Sequence, residues 1–415
     1  MKSSSRSRWI TQIGPGIAIA ATGVGAADLV TSTVAGARFG TTLAWAIVVG
    51  AVLKLALNEG VARWHVATGR SVLQGWSHHL GRPALAIFLI YLLVWSMVVC
   101  GGLIVGSGLA ANSVAPFLSR QRWGVIQAVL AFLLVWFGSY DRFEKWMKLM
   151  IGVMFVAIVG CAVVTSFSVA EPLQWQGFPD GSLPLTLALA GGVGGSVTML
   201  VYGYWIKERQ WESADSLPLI RLDLSVAYGV TGVLALGAML LASQTLLPKG
   251  ITVEGSKGLI EMASMLRGNL GMVGQWIFLV GFWGATFSSL LGVLQGVPYL
   301  FADLIHCWNQ PSTDDAPEFD YAGAAKTKPY RLYLAYLAIP STLFLFYDRP
   351  IWLMVLYAAV SALFIPILAT ALLLMNNLWV QSEFRNGWKS NLTLFVALMM
   401  FVLIALQKVI EFGAK

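Results

Sequence analysis

The chain has 415 residues, 57% of them hydrophobic and only 11% charged, with a mean hydropathy of +0.73; this composition excludes a soluble globular domain and a disordered chain alike. The formal charge of +7 does not mark a nucleic-acid binder, because the basic residues are spread over short loops and never gather on one segment or helix face. What remains is an all-α polytopic membrane protein, in which apolar runs of about 18 to 25 residues follow one another, each long enough to cross the hydrocarbon core.

In chain order the pattern predicts helices over 13–37, 42–64, 84–112, 123–139, 146–168, 185–206, 223–245, 271–303, 331–347, 351–376 and 391–411. We read them as one transmembrane domain over 1–415, with five helices in 13–168, five in 185–376 and an eleventh at 391–411. Lys2, Arg6 and Arg8 precede the first apolar run as they would in a signal peptide. Gly14-Pro15-Gly16 and Asp28 interrupt that run, and it continues past any small-residue cleavage point, so a retained, broken first helix is expected instead. The break is Gly23-Val24-Gly25-Ala26-Ala27-Asp28, and the sixth helix carries a counterpart in Gly191-Gly192-Val193-Gly194-Gly195-Ser196. Paired breaks in two halves of a chain expose main-chain carbonyls and helix-end dipoles near mid-membrane, which is where a transporter holds its substrate. The alternative is that the glycines only allow close helix packing.

The second helix places Lys54 in the stretch AVLKLALNEG, deep in the apolar run. Counting from a turn near Gly40 puts Asp28 and Lys54 at similar depth at about 1.5 Å per residue, so the two could form an ion pair; the equal alternative is that Lys54 snorkels or binds a main-chain carbonyl. Asn58, one turn on, is placed to hold the ammonium, while Glu59 and Arg63 form an acid-first i, i+4 pair, structural first and gating second. His78 and His79 fall in a predicted cytoplasmic loop, and the third helix from Ser96 to Asn112 carries no Asp, Glu or His. Asp223 and Asp303 lie near helix ends and are expected at the interface; Cys100, Cys161 and Cys307 lack metal or disulfide spacing and are expected to pack.

About seventeen Lys and Arg fall on one side of these helices and about nine on the other, which puts the N-terminus in the cytoplasm and the C-terminus outside. Trp9, Trp123, Trp211, Trp352 and Trp388 mark helix ends at headgroup level. The sequence contains no HExxH, no GxSxG and no GxxxxGK[ST], so neither an enzyme nor an ATP-driven pump is indicated, and no cofactor is expected.

Residues 14–40 read GPGIAIAATGVGAADLVTSTVAGARFG, followed by HVATG at 65–69. This stretch is similar to the first two helices of the NRAMP family of divalent-metal transporters, with Gly36, Arg38 and Gly40 as its firmest anchors. The resemblance implies a LeuT-type fold of five plus five inverted repeats and one extra helix, with helices 1 and 6 broken. The family's Asp-Pro-Gly-Asn motif falls on Gly25-Ala26-Ala27-Asp28, so the metal-binding aspartate is replaced by Gly25 while Asp28 stands at the asparagine position. The family's Met-Pro-His falls on Met199-Leu200-Val201. The acidic residues of the family's third helix and its tenth-helix glutamine are missing.

On the resemblance and the residue chemistry together, the expected substrate-binding set is Asp28, Thr22, Gly25, Ser196, Met199 and Lys54, with Asp28 and Met199 as metal ligands. The expected function is secondary transport of a divalent cation of the Mn, Fe or Mg type across the inner (cytoplasmic) membrane, by a monomer, without the usual proton coupling. Two rivals stand beside it: a LeuT-fold carrier of a small polar or zwitterionic solute held by Asp28 and Lys54, and a non-transporting receptor or assembly subunit.

Overall fold

In the computed structural model, residues 14–168, 179–192, 195–250, 256–310, 319–347, 353, 356–357, 360–361 and 363–413 are described, and every regular element among them is helical. Helix α1 (Pro15–Gly23) begins with Pro15 in its first turn, where a missing N–H is harmless, and α2 (Ala26–Phe39) resumes beyond a short break. The two are bent by 55°. Helix α3 (Ala44–Thr68) leads through Gly69 into α4 (Val72–Val114), whose Ser71 N-cap forms a reciprocal capping box with Gln74. Helices α5 (Arg120–Trp136), capped by Ser119, and α6 (Tyr140–Ser168) complete the first five spans.

The second half repeats the plan. Helices α7 (Leu183–Gly192) and α8 (Thr198–Glu208) form another broken span, followed by α9 (Leu217–Thr245) and α10 (Ser256–Asn309). Helix α11 (Lys328–Ala338) continues as 3-10 turns over Pro340–Phe346, and α12 (Phe364–Leu378) and α13 (Trp388–Gly413) end the chain's described part. The third span of each half changes direction at a glycine of nearly the same conformation, Gly81 (φ 73°, ψ −172°) in α4 and Gly271 (φ 71°, ψ −171°) in α10. Those glycines sit at or close to the predicted span starts of 84 and 271. The helical arms ahead of them, 72–80 and 256–270, lie where the apolar pattern predicts loops; too short to cross a bilayer, the first is helical by its Ser71 cap and packing, and the second packs Met262, Ala263 and Leu266 into the core. His78 and His79 therefore stand on a helix, not in a loop, and His79 stacks on Trp379 with ring centroids 3.9 Å apart.

Among the described residues five helices are individually long and apolar enough to cross a bilayer, and the bent pair α1/α2 makes a sixth. Helix α1 is enclosed by α6, α8, α9 and α10, while α2 packs on α7, α9 and α10. The approach of α2 to α9 accounts for Gly36: a Cβ there would lie 2.2 Å from the Met239 carbonyl oxygen. The interior holds Trp64, Trp95, Trp205 and Tyr202, and large apolar residues such as Ile87, Ile90, Phe137 and Val156 face outward, the pattern of a chain whose solvent is lipid. All three cysteines are buried and free.

Candidate functional site

The two breaks meet at the centre of the molecule. Gly23 closes α1, and its Cα is 4.0 Å from the space a Cβ on Gly195 would fill at the start of the second break. Gly195 has φ +90°, a conformation that costs any other residue strain, and its neighbour Ser196 is buried. Here the glycine is required by backbone conformation and by space together, since a Cβ would also come within 2.5 Å of Thr198 Oγ1.

Lys54 reaches this point from α3. Its side chain is 1% exposed, its ammonium donates to the Gly195 carbonyl, and the charge of Asp28, in the first turn of α2, acts on it through space. Asp28 is half-buried, and its field also reaches the Tyr357 phenol of the tenth span, which packs beside Gly102 on α4. One carboxylate, one ammonium and two interrupted backbones thus share the site. A buried ammonium is costly beside neutral acceptors alone, and the field of Asp28 lowers that cost.

The other expected residues are placed as follows. Thr22 directs its hydroxyl back to the Ala18 carbonyl, 2.6 Å away, and its side chain fills the space above Gly292 on α10. Only its main chain is left to face a substrate. Gly25 stands against Ser289 and Leu103. Ser288 donates to the Ala21 carbonyl at 2.8 Å and fixes the end of α1 on α10, a contact the sequence reading lacked. Met199, in the first turn of α8, is fully buried in the main apolar core. Among the described residues no three His, Cys, Asp or Glu side chains converge, so the site is rich in main-chain oxygens and poor in acidic ones.

Three expectations are corrected. Asn58 does not hold Lys54: its amide nitrogen donates to the Tyr228 hydroxyl at 3.2 Å on α9, and its Oδ1, the atom able to accept from an ammonium, has no hydrogen-bond partner. Asp223 is fully buried, not interfacial; it accepts from the N–H groups of Gly14 (3.1 Å) and Gly16 (2.6 Å) and from the Tyr202 hydroxyl (2.9 Å). It is thereby the anion at the positive end of α1. Asp303 is fully buried too, accepting from Ser71 and from Tyr204 at 2.7 Å. An aspartate near a helix end reads as interfacial only when nothing else folds over it, and here α1 and α8 do so.

Charge clusters surround the same end of the molecule. Glu144 on α6 lies beside Gly14 and is paired with Arg209, which follows α8, and with Lys148 at 2.7 Å. Glu59 binds Arg63 through both carboxylate oxygens (2.7 and 2.6 Å) and Arg221 of α9 at 3.0 Å. Arg63 also donates to the Arg385 carbonyl, the Asn386 side chain and Ser390. The expected pair is therefore a structural tie that fastens α3 to α9 and to the start of α13.

A family profile described as natural resistance-associated macrophage protein-like matches residues 16–411. The divalent metal cation transporter MntH of Chromohalobacter salexigens is 24% identical over 251 residues, 57% of each chain. MntH of Staphylococcus aureus strain JH9 is 28% identical over 111 residues, 27% of this chain and 25% of its own. The aligned part thus spans little more than half of the first of these relatives and a quarter of the second. In overall shape the chain is similar to the crystal structure of the Eremococcus coleocola manganese transporter with an aromatic bis-isothiourea substituted compound (TM-score 0.76, 15% identity, 97% of this chain and 87% of that one). It is also similar to MhsT in complex with L-phenylalanine (TM-score 0.62, 16% identity, 95% and 98%). The fold is the LeuT-type arrangement of five plus five helices and one more, with the first helix of each half broken.

Proposed function

The chain belongs to the natural resistance-associated macrophage protein-like family, and from that premise we propose that it is a secondary transporter carrying a divalent metal cation of the Mn, Fe or Mg type across the cytoplasmic membrane by alternating access. The observation that carries this reading is the meeting of two broken helices at a buried site holding a single carboxylate, Asp28. Main-chain oxygens at the breaks, with Asp28, are hard ligands suited to Mn²⁺ and Mg²⁺, and Met199 adds a soft thioether one turn into α8. Ser196 and the main chain at Thr22 and Gly25 complete the proposed substrate shell.

Transport in this reading runs without the family's proton relay, because the stretch Ser96–Asn112 of α4 carries no Asp, Glu or His, with Ser96 bonded to Tyr333 at 2.7 Å. The membrane potential then supplies the drive, about 2.3 kcal/mol per charge per 100 mV. We place the N-terminus in the cytoplasm and the C-terminus outside, on the Lys and Arg excess of one set of loops. One transmembrane domain, acting as a monomer in the bilayer, suffices for the mechanism.

Calorimetric titration of Mn²⁺ and then Mg²⁺ into purified protein, with Asp28→Ala under identical detergent and salt, tests the reading. Saturable binding that the variant loses is expected; absence of binding by either ion would refute it. The Lys54–Asp28 combination favours a second reading, a small zwitterion gripped at both charges, which a titration series of amino acids would reveal.

A further inference from the structure

Lys54 has no task in an ordinary cation site, where a buried ammonium beside the carboxylate ligand repels the substrate. Its side chain is nevertheless 1% exposed, in the middle of α3, and bridges the two breaks: the Gly195 carbonyl on one side and the field of Asp28 on the other. The groups around it leave little else for its charge to answer. Glu59 on its own helix is engaged with Arg63 and Arg221, and Asn58 donates to Tyr228 of α9 through its amide nitrogen, leaving only a neutral oxygen without a hydrogen-bond partner.

We propose that Lys54 is a tethered counter-cation: in the empty carrier its ammonium, held by the Gly195 carbonyl, also neutralises Asp28, and an arriving metal dication takes the carboxylate from it and leaves it on that carbonyl. This rests on the metal-transport reading above and names what replaces the proton in it. With Lys54 on Asp28 the empty site carries no net charge, so the carrier returns to the outside without moving a bare carboxylate through a low-dielectric barrier. With metal bound, Lys54 keeps its acceptor in the second break, and the loaded carrier moves two charges. The coupling ion is built into the chain.

The two half-cycles can be separated in proteoliposomes. Exchange of radioactive Mn²⁺ against Mn²⁺ on both sides uses only the loaded carrier, whereas net uptake into Mn²⁺-free vesicles needs the empty return. Lys54→Met is expected to bind Mn²⁺ several-fold more tightly and to keep exchange within about threefold of wild type, while net uptake falls tenfold or more. Retained exchange also shows that the variant is folded. Lys54→Gln, which keeps a donor for the Gly195 carbonyl but no charge, is expected to behave like Lys54→Met. Net uptake and exchange falling together in a monodisperse Lys54→Gln protein, or neither falling, overturns the proposal while leaving metal transport standing. If the wild type shows no saturable Mn²⁺ exchange, the metal reading fails and this proposal fails with it.

Discussion

Replacing Asp223 with alanine removes the acceptor for three buried donors at once: the Gly14 and Gly16 N–H groups and the Tyr202 hydroxyl. Each buried donor left without a partner costs about 1–3 kcal/mol, and the lost charge at the helix N-terminus adds to this. Water and small shifts recover part of that sum, so we expect α1 to lose about 3 kcal/mol of its attachment to α8 and α9, roughly a hundredfold in the ratio of docked to detached α1. Hydrogen exchange read by mass spectrometry reports this directly. Peptides covering Gly14–Gly23 should exchange on the order of a hundredfold faster in Asp223→Ala, and Asp223→Asn, which keeps the shape and one acceptor, should fall between. Peptides from α5 and α13, which do not touch α1, should be unchanged. Unaltered exchange in α1, or acceleration spread evenly over all helices, would refute a local clamp at Asp223.

Other substitutions test neighbouring parts of the account. Glu59→Gln leaves the Arg63 guanidinium buried without its carboxylate and should cost about 3–5 kcal/mol, seen as a lowered thermal midpoint, whereas Glu59→Gln with Arg63→Met should recover much of it; equal losses would deny the pair a common role. Gly195→Ala forces a Cβ into a φ of +90° and against Thr198, at a cost of about 1–3 kcal/mol, and should abolish Mn²⁺ uptake while the protein stays monodisperse; full uptake would show that the second break is not part of the pathway. Met199→Leu keeps the core volume and should change stability by less than about 1.5 kcal/mol; about a tenfold loss of Cd²⁺ binding with Mn²⁺ binding unchanged is expected if the thioether is a ligand, and unchanged Cd²⁺ binding would assign it to packing.

The parts of this molecule that could be read from the sequence are those written in short-range patterns. The two glycine breaks are visible because each glycine in runs such as Gly191–Gly195 weakens a helix by about 1 kcal/mol relative to alanine, and Asp28 and Lys54 could be matched in depth by counting residues from Gly40. The turning glycines Gly81 and Gly271 were implicit in where the apolar runs begin, but the helical arms ahead of them were not, since capping by Ser71 and packing carry no long apolar period. Partners distant in sequence were hidden for a plainer reason. Asp223 is 209 residues from Gly14, and nothing in the stretch around it announces that the N-terminus of α1 will fold over it. Asn58 was assigned to Lys54 by helical proximity alone, and the assignment failed because the ammonium reaches the Gly195 carbonyl, 141 residues away in sequence, and leaves the Asn58 oxygen without a partner. Thr22 and Met199 stand near the breaks as expected, yet the side-chain hydroxyl of one is bonded within its own helix and the other is enclosed in the core, details that depend on packing across α8 and α10.

The measurement that bears most directly on the central claim is Mn²⁺ uptake into proteoliposomes under an imposed inside-negative potential, with no pH gradient and with internal pH monitored. The account predicts saturable uptake by the wild-type protein, no accompanying acidification, and none above background in Asp28→Ala. Uptake that is equal in the two proteins, or that appears only when an inward proton gradient is imposed, would contradict it.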